Sequence, residues 1–261
     1  MDSTLTRIMK IELKYLMRSK KIFFMLASMV VVYIIGIILS NGYYDVNNSS
    51  LYIGTNLTTF IQLFPIALIG ILCSTFHKDF FERSFLWYKK NKVNFKQLLL
   101  SRLILYNIIV SVLVTVYILI LFLISQFYEP SIDKTSLYLY FLAVSLASLF
   151  YTTCAQLMVS SIFKNFVKSA SMTIIGWFLL AIVNGVFPFI KGYITPFDSS
   201  SIQAAYIAKY TQMNQGSFFK YHANSDNTVN FVLSLLLPII FGLIFSSVAV
   251  TYAKKYDLNN K

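Results

Sequence analysis

Six apolar stretches dominate this chain, at about residues 22 to 40, 55 to 76, 99 to 125, 136 to 162, 169 to 190 and 229 to 253. Each reaches the roughly 20 mostly apolar residues that a helix needs to cross the hydrocarbon of a bilayer. In lipid every backbone N–H and C=O must be satisfied within the segment, so such stretches fold as helices. Of the 261 residues, 57% are hydrophobic and only 12% charged, against about 25% charged in an ordinary soluble domain. The expected fold is all-α, a polytopic membrane protein with six transmembrane helices. The first stretch is long and lacks a small-residue cleavage site after it, so it is expected to insert as a span.

Orientation follows from where Lys and Arg fall. With six spans both termini share one side, and that side holds all 22 basic residues except Lys134, Lys191, Lys209 and Lys220. The acidic residues divide evenly, so the bias belongs to Lys and Arg. Both termini and the 77 to 96 segment are therefore expected to be cytoplasmic, in a plasma membrane. The net charge of +12 is accounted for in this way, with no separate support for nucleic acid as a partner.

The division of the single transmembrane domain is then a cytoplasmic amphipathic helix at 1–21, two spans in 22–76, a cytoplasmic loop at 77–96 and three spans in 97–190. An extracellular segment at 191–228 and a last span with a cytoplasmic tail at 229–261 complete it. The long external segment opens near Pro188 and Pro196 and carries a possible helix from Ser199 to Met213, expected as a small cap.

Ahead of the first span, at 100° per residue, Arg7, Lys10, Lys14 and Arg18 form one stripe and Leu5, Ile8, Met9, Leu13 and Leu16 another. This predicts a helix lying on the cytoplasmic leaflet, its basic stripe toward water and anionic headgroups. Glu12 breaks the pattern by falling within the apolar face. Either its carboxylate reaches the edge of that face or pairs locally, or it makes a charge-assisted contact to a basic residue of the 77 to 96 loop, Arg83 being the best placed. In the second case Glu12→Gln uncouples transport without loss of expression.

The 77 to 96 loop, HKDFFERSFLWYKKNKVNFK, is the one long polar interruption that also reads as a structured element. Asp79 and Glu82 have the spacing of a capping box. Phe80, Phe81, Phe85, Leu86, Trp87 and Tyr88 alternate with basic residues, which fits a helix in the lipid interface or one docked in a groove on a partner.

Chemistry within the spans is sparse. Beyond Arg102, which is counted with the cytoplasmic side, the six stretches contain no Asp, Glu, Lys, Arg or His. That argues against an ion-coupled transporter and against an intramembrane hydrolase. His77 and His222 fall on opposite sides, Cys73 and Cys154 read as small core residues, and no metalloprotease, nucleophile-elbow or P-loop motif occurs. Catalytic residues, metal ligands and a nucleotide site are expected to be absent. Neutral polar residues do occur, with Thr55, Thr59 and Gln62 on one face of the second stretch and Ser145, Ser148, Thr152 and Gln156 on one face of the fourth. Asn184 lies in the fifth. They serve either as helix-to-helix hydrogen bonds or, in the second and fifth spans together with Phe60, Phe64, Phe178 and Phe187, as a weakly polar path for an amphipathic cargo.

Taken together, the basic amphipathic N-terminal helix, six spans, helical loop between spans two and three and extended external segment resemble the ABC-2 type permeases, the membrane subunits of one class of ABC exporter. The most specific part is DFFERSFLWYKKNKVNFKQLLLSRLIL, an acidic and polar helix start, apolar residues, then a basic segment leading to Arg102 in the third span. The Gly-Thr that often follows the acidic residue in that family is replaced by Ser84 and Phe85. The composition, rich in Lys, Asn, Ile, Tyr and Phe, looks like that of a low-GC Gram-positive bacterium; among such systems the chain resembles the permeases that export or give immunity to amphipathic antimicrobial peptides, such as the phenol-soluble modulin exporters of staphylococci.

The resemblance implies two permease copies or paralogues around a pathway, each contacting a separate ATPase subunit that holds ATP and Mg. A coupling helix at Asp79, Phe81, Glu82, Arg83, Phe85 and Trp87 would make that contact, aided by Arg7, Glu12 and Lys14 of the N-terminal helix. Peptide or lipid-like cargo would pass by Thr55, Thr59, Gln62, Phe178 and Asn184. The competing expectation is a membrane immunity or sensor protein that binds a peptide without moving it.

Overall fold

The computed structural model describes residues 3–43, 56, 59–60, 63–74, 76, 88, 90, 93–128, 135–163, 165–186 and 227–259. Among them every regular element is helical. In chain order they are α1 (Ser3–Arg18), α2 (Lys21–Tyr43), α3 (Leu63–Ser74), α4 (Phe95–Tyr128), α5 (Thr135–Ile162), α6 (Phe166–Val186) and α7 (Asn227–Asn259).

Four helices are long and apolar enough to cross a membrane, over Lys21–Ile38, Phe95–Ile124, Leu142–Ile162 and Leu235–Tyr252. These mark the chain as a helical membrane protein. Within the second and fifth expected spans the described apolar helices are shorter, Leu63–Ser74 and Phe166–Leu179. Exposure agrees with lipid as solvent. Ile108, Val112, Val116, Leu119 and Leu123 recur at helical spacing along one open face of α4, a continuous apolar stripe that a soluble protein rarely leaves bare.

The bundle is arranged around α5. Its apolar stretch is 61% buried, against 33% or less for the other three. It packs on α4, α6 and α7, and α7 also reaches α4. At one end of the α4–α5 contact the Tyr138 ring meets Phe122 edge-on, with centroids 4.7 Å apart. Further along, Thr153 Oγ1 lies 2.8 Å from Asn107 Oδ1. On the other flank α7 comes close enough that a Cβ added at Gly242 would stand 2.5 Å from the Phe150 ring.

Local sequence explains where two of these helices begin. Asn94 precedes α4, its carbonyl accepting from Leu98 N, and the Gln97 side chain reaches back to Asn94 N at 3.2 Å. This is the reciprocal half of a capping box, with Gln at the third helical position. Asn165 starts α6 with its Oδ1 accepting from Val167 N at 2.9 Å and Lys168 N at 3.4 Å, the ordinary work of an N-cap side chain.

Candidate functional site

α1 is the amphipathic helix expected from its periodicity, but its apolar stripe is spent on protein. Ile8 and Leu16 belong to the buried core, and α1 packs along the start of α4. Arg7, Lys10, Lys14 and Arg18 remain exposed on the opposite face, while Leu13 and Met17 are exposed at its flank. The physical reason lies in α4. Phe95, Leu98, Leu99, Arg102, Leu103 and Tyr106 are buried at spacings of three and four, so the first three turns of α4 present a continuous seat.

Glu12 sits in the middle of that contact, 3% exposed, and Arg102 opposite it is equally enclosed. Arg102 Nη2 donates to Glu12 Oε1 at 2.8 Å. The same oxygen accepts from the Tyr88 hydroxyl at 2.8 Å, and Tyr88 is itself buried. Three parts of the chain thus meet on one carboxylate: α1, the helical residue Tyr88 from the loop, and α4. Glu12 therefore neither reaches the edge of its face nor pairs locally. Its partners among the described residues are Arg102 and Tyr88, whereas Arg83 lies outside those residues.

Arg102 also revises the charge inventory of the spans. It lies seven residues, about 10 Å, beyond the first residue of α4, inside the helix rather than on a solvated loop. A buried pair of this kind gains little over an apolar pair of equal volume, but removing one member leaves a charge stranded at a cost of about 3–5 kcal/mol.

A second tie lies beside it. Lys21, the first residue of α2, donates from Nζ to Ser74 Oγ at 2.8 Å and sits 5.3 Å over the Tyr15 ring. Between α1 and α2 the chain turns at Lys20, whose φ of 56° is left-handed. There it occupies the position after a helix end where glycine or asparagine is favoured.

Of the path residues expected from sequence, Thr59 and Phe178 have described side chains. Thr59 is buried, but Phe60 and Phe64 fill the interior: Phe60 stacks on Phe64 with ring centroids 4.6 Å apart and on Tyr117 at 4.1 Å. Phe178 points outward from α6, more than half exposed. Asn184 lies within α6. Thr55, Gln62 and Phe187 fall outside the described residues. So do Asp79, Phe81, Glu82, Arg83, Phe85 and Trp87 of the expected coupling helix, and the external segment with Ser199 to Met213.

By contrast, the fourth-span stripe is fully internal. Ser145, Ser148, Thr152 and Gln156 are all buried. Gln156 Nε2 donates to Cys73 Sγ and to Ser160 Oγ at 3.2 Å, and Ser160 lies 3.1 Å from Ser169 Oγ of α6. Cys73 and Cys154 are buried and form no disulfide, as expected of small core residues. Among the described residues no grouping of His, Cys, Asp and Glu provides a metal donor set.

The family resemblance includes Arg102, and the structure adds its pairing with Glu12. The signal was its phase: the buried run on α4 places it on the same face as Leu98, Leu99 and Tyr106, which a solvated arginine would avoid.

No protein-family model matches this chain, and neither the curated proteins nor the solved structures contain a match.

Proposed function

We propose that this chain is the membrane subunit of an ATP-driven exporter of the ABC-2 type, with six spans, both termini cytoplasmic, and a second copy or paralogue completing the pathway. Its cargo is amphipathic, a peptide or a lipid-like molecule, and its energy comes from ATP and Mg held on a separate ATPase chain. The observation that carries this reading is the junction at Glu12. A buried carboxylate joins the N-terminal helix to Tyr88, at the end of the aromatic and basic stretch 79 to 88, and to Arg102 in a long apolar helix. A push on residues 79 to 88 would reach the bundle through a contact that loses its charge balance if it separates.

In this mechanism Phe81, Phe85 and Trp87 anchor in a groove of the ATPase, since buried aromatics dominate interface energy, while Glu82 and Arg83 orient the helix. Closure of the ATPase pair on ATP moves that helix, and the junction passes the motion to α1 and α4. Affinity capture of the tagged chain from its native membrane tests the proposal. An ATPase chain should co-purify with the wild type and be lost from the Phe85→Ala, Trp87→Ala double variant. A well-folded wild-type chain that binds peptide yet captures no ATPase supports the immunity or sensor role instead.

A further inference from the structure

We infer that the face of α5 running from Ser145 to Gln156 and on to Ser160 is a water-accessible seam that receives the polar side of the cargo. The inference rests on the exporter reading for its cargo, though not for its water. At 100° per residue, Ser145, Ser148, Thr152, Gln156 and Ser160 fall within one third of the helix circumference, and all five are buried. α5 is also the most enclosed of the four long apolar helices, so this face looks into the bundle rather than at lipid.

Three oxygens on the seam, Ser145 Oγ, Ser148 Oγ and Gln156 Oε1, have no hydrogen-bond partner among the described residues. A serine hydroxyl can be turned onto its own helix, but the Gln156 amide cannot be satisfied by rotation. One end faces Cys73 and Ser160; exchanging oxygen and nitrogen only moves the orphan to the other atom. Buried polar groups in proteins are as a rule paired with protein or water; neutral polar side chains inside a membrane bundle serve either helix-to-helix hydrogen bonds or a water-filled cavity, and the orphaned end of the Gln156 amide favours water. The seam is lined mostly with small groups; packing closes it at Ser145 and Ser148, and hydrogen bonds to Cys73 and Ser169 hold its Gln156–Ser160 end. Its parting would expose a ladder of hydroxyl and amide groups suited to peptide carbonyls, amides or sugar-like hydroxyls, with apolar cargo groups left to the surrounding helices. It would emerge beside the small recess lined by Phe76, Leu98, Arg102, Leu157, Ser160 and Ser161, next to the Glu12 junction.

The test uses single cysteines at 145, 148 and 156 in the full chain, with Cys73→Ser and Cys154→Ala removing the native thiols. Val116→Cys on the open face of α4 serves as the lipid-facing control and Lys10→Cys as the aqueous one. A small cationic methanethiosulfonate is applied to right-side-out and inside-out native membrane vesicles, with and without ATP. Because only a hydrated thiol forms the reactive thiolate, seam cysteines should label about tenfold or more faster than position 116, and faster still when ATP is present. Labelling no faster than position 116 in every vesicle and nucleotide condition, while position 10 reacts, overturns the seam. Labelling that is fast but indifferent to ATP keeps the seam and counts against the exporter. A seam variant that does not accumulate is replaced by cysteine at Thr152, read against the same controls.

Discussion

Arg102 Nη2 lies 2.8 Å from Glu12 Oε1, across 90 residues of chain, with both side chains almost fully enclosed. Stranding either charge costs about 3–5 kcal/mol, whereas replacing both by apolar residues of similar volume is often neutral or better. Glu12→Gln should therefore lower the melting temperature of the detergent-purified chain as well as weaken transport, which differs from the pure uncoupling expected from the sequence alone. The Glu12→Met, Arg102→Met double variant should recover the melting temperature and not the transport. Recovery of both would reduce the pair to packing.

Tyr88→Phe removes one hydrogen bond to a charged acceptor and leaves the ion pair, a loss of about 1.5–3 kcal/mol. Its melting temperature should fall less than that of Glu12→Gln. Measured on the Glu12→Gln background, the Tyr88 change should have a much smaller effect, since both act on one oxygen.

Lys20 carries a φ of 56° at the turn between α1 and α2. A left-handed conformation costs a residue with a Cβ about 1–2 kcal/mol, so Lys20→Gly should raise thermal stability, offset in part by the freedom glycine adds to the unfolded chain. Lys20→Val should lower it. The reverse order would contradict the assigned turn.

Gly36 and Gly242 separate two kinds of close approach. A Cβ at Gly36 would stand 2.2 Å from Asn56 Oδ1 and 3.2 Å from its Cα, so the Asn56 side chain must shift and its backbone give slightly; at Gly242 the obstacle is the Phe150 ring alone. Gly36→Ala should cost about 1–3 kcal/mol, and Gly242→Ala less, by the same melting assay.

Much of this was legible along the chain. The period of α1 gave its helix and both faces, while the odd position of Glu12 on the apolar face left open both an edge or local pairing and a charged contact to the 77 to 96 loop. What covers that face was not legible, because lipid and a neighbouring helix reward the same apolar stripe. The identity of the partner was obscured for a different reason. Arg83 and Arg102 carry the same charge on the same expected side, and it is the burial phase of α4, from Phe95 to Tyr106, that marks Arg102 as a core arginine. In the spans, hydrophobicity located the helices but could not rank them by enclosure. Phe60 and Phe178 look alike in sequence, yet one is stacked between Phe64 and Tyr117 while the other faces outward.

The dependence on an external energy source is tested most directly by ATP hydrolysis in the complex captured on the tagged chain, compared between the wild type and the Phe85→Ala, Trp87→Ala variant. The account predicts ATP hydrolysis bound to the wild-type chain and none bound to the variant, with both chains equally folded by melting temperature. Equal hydrolysis in the two captures, or none with a folded wild-type chain, would contradict it.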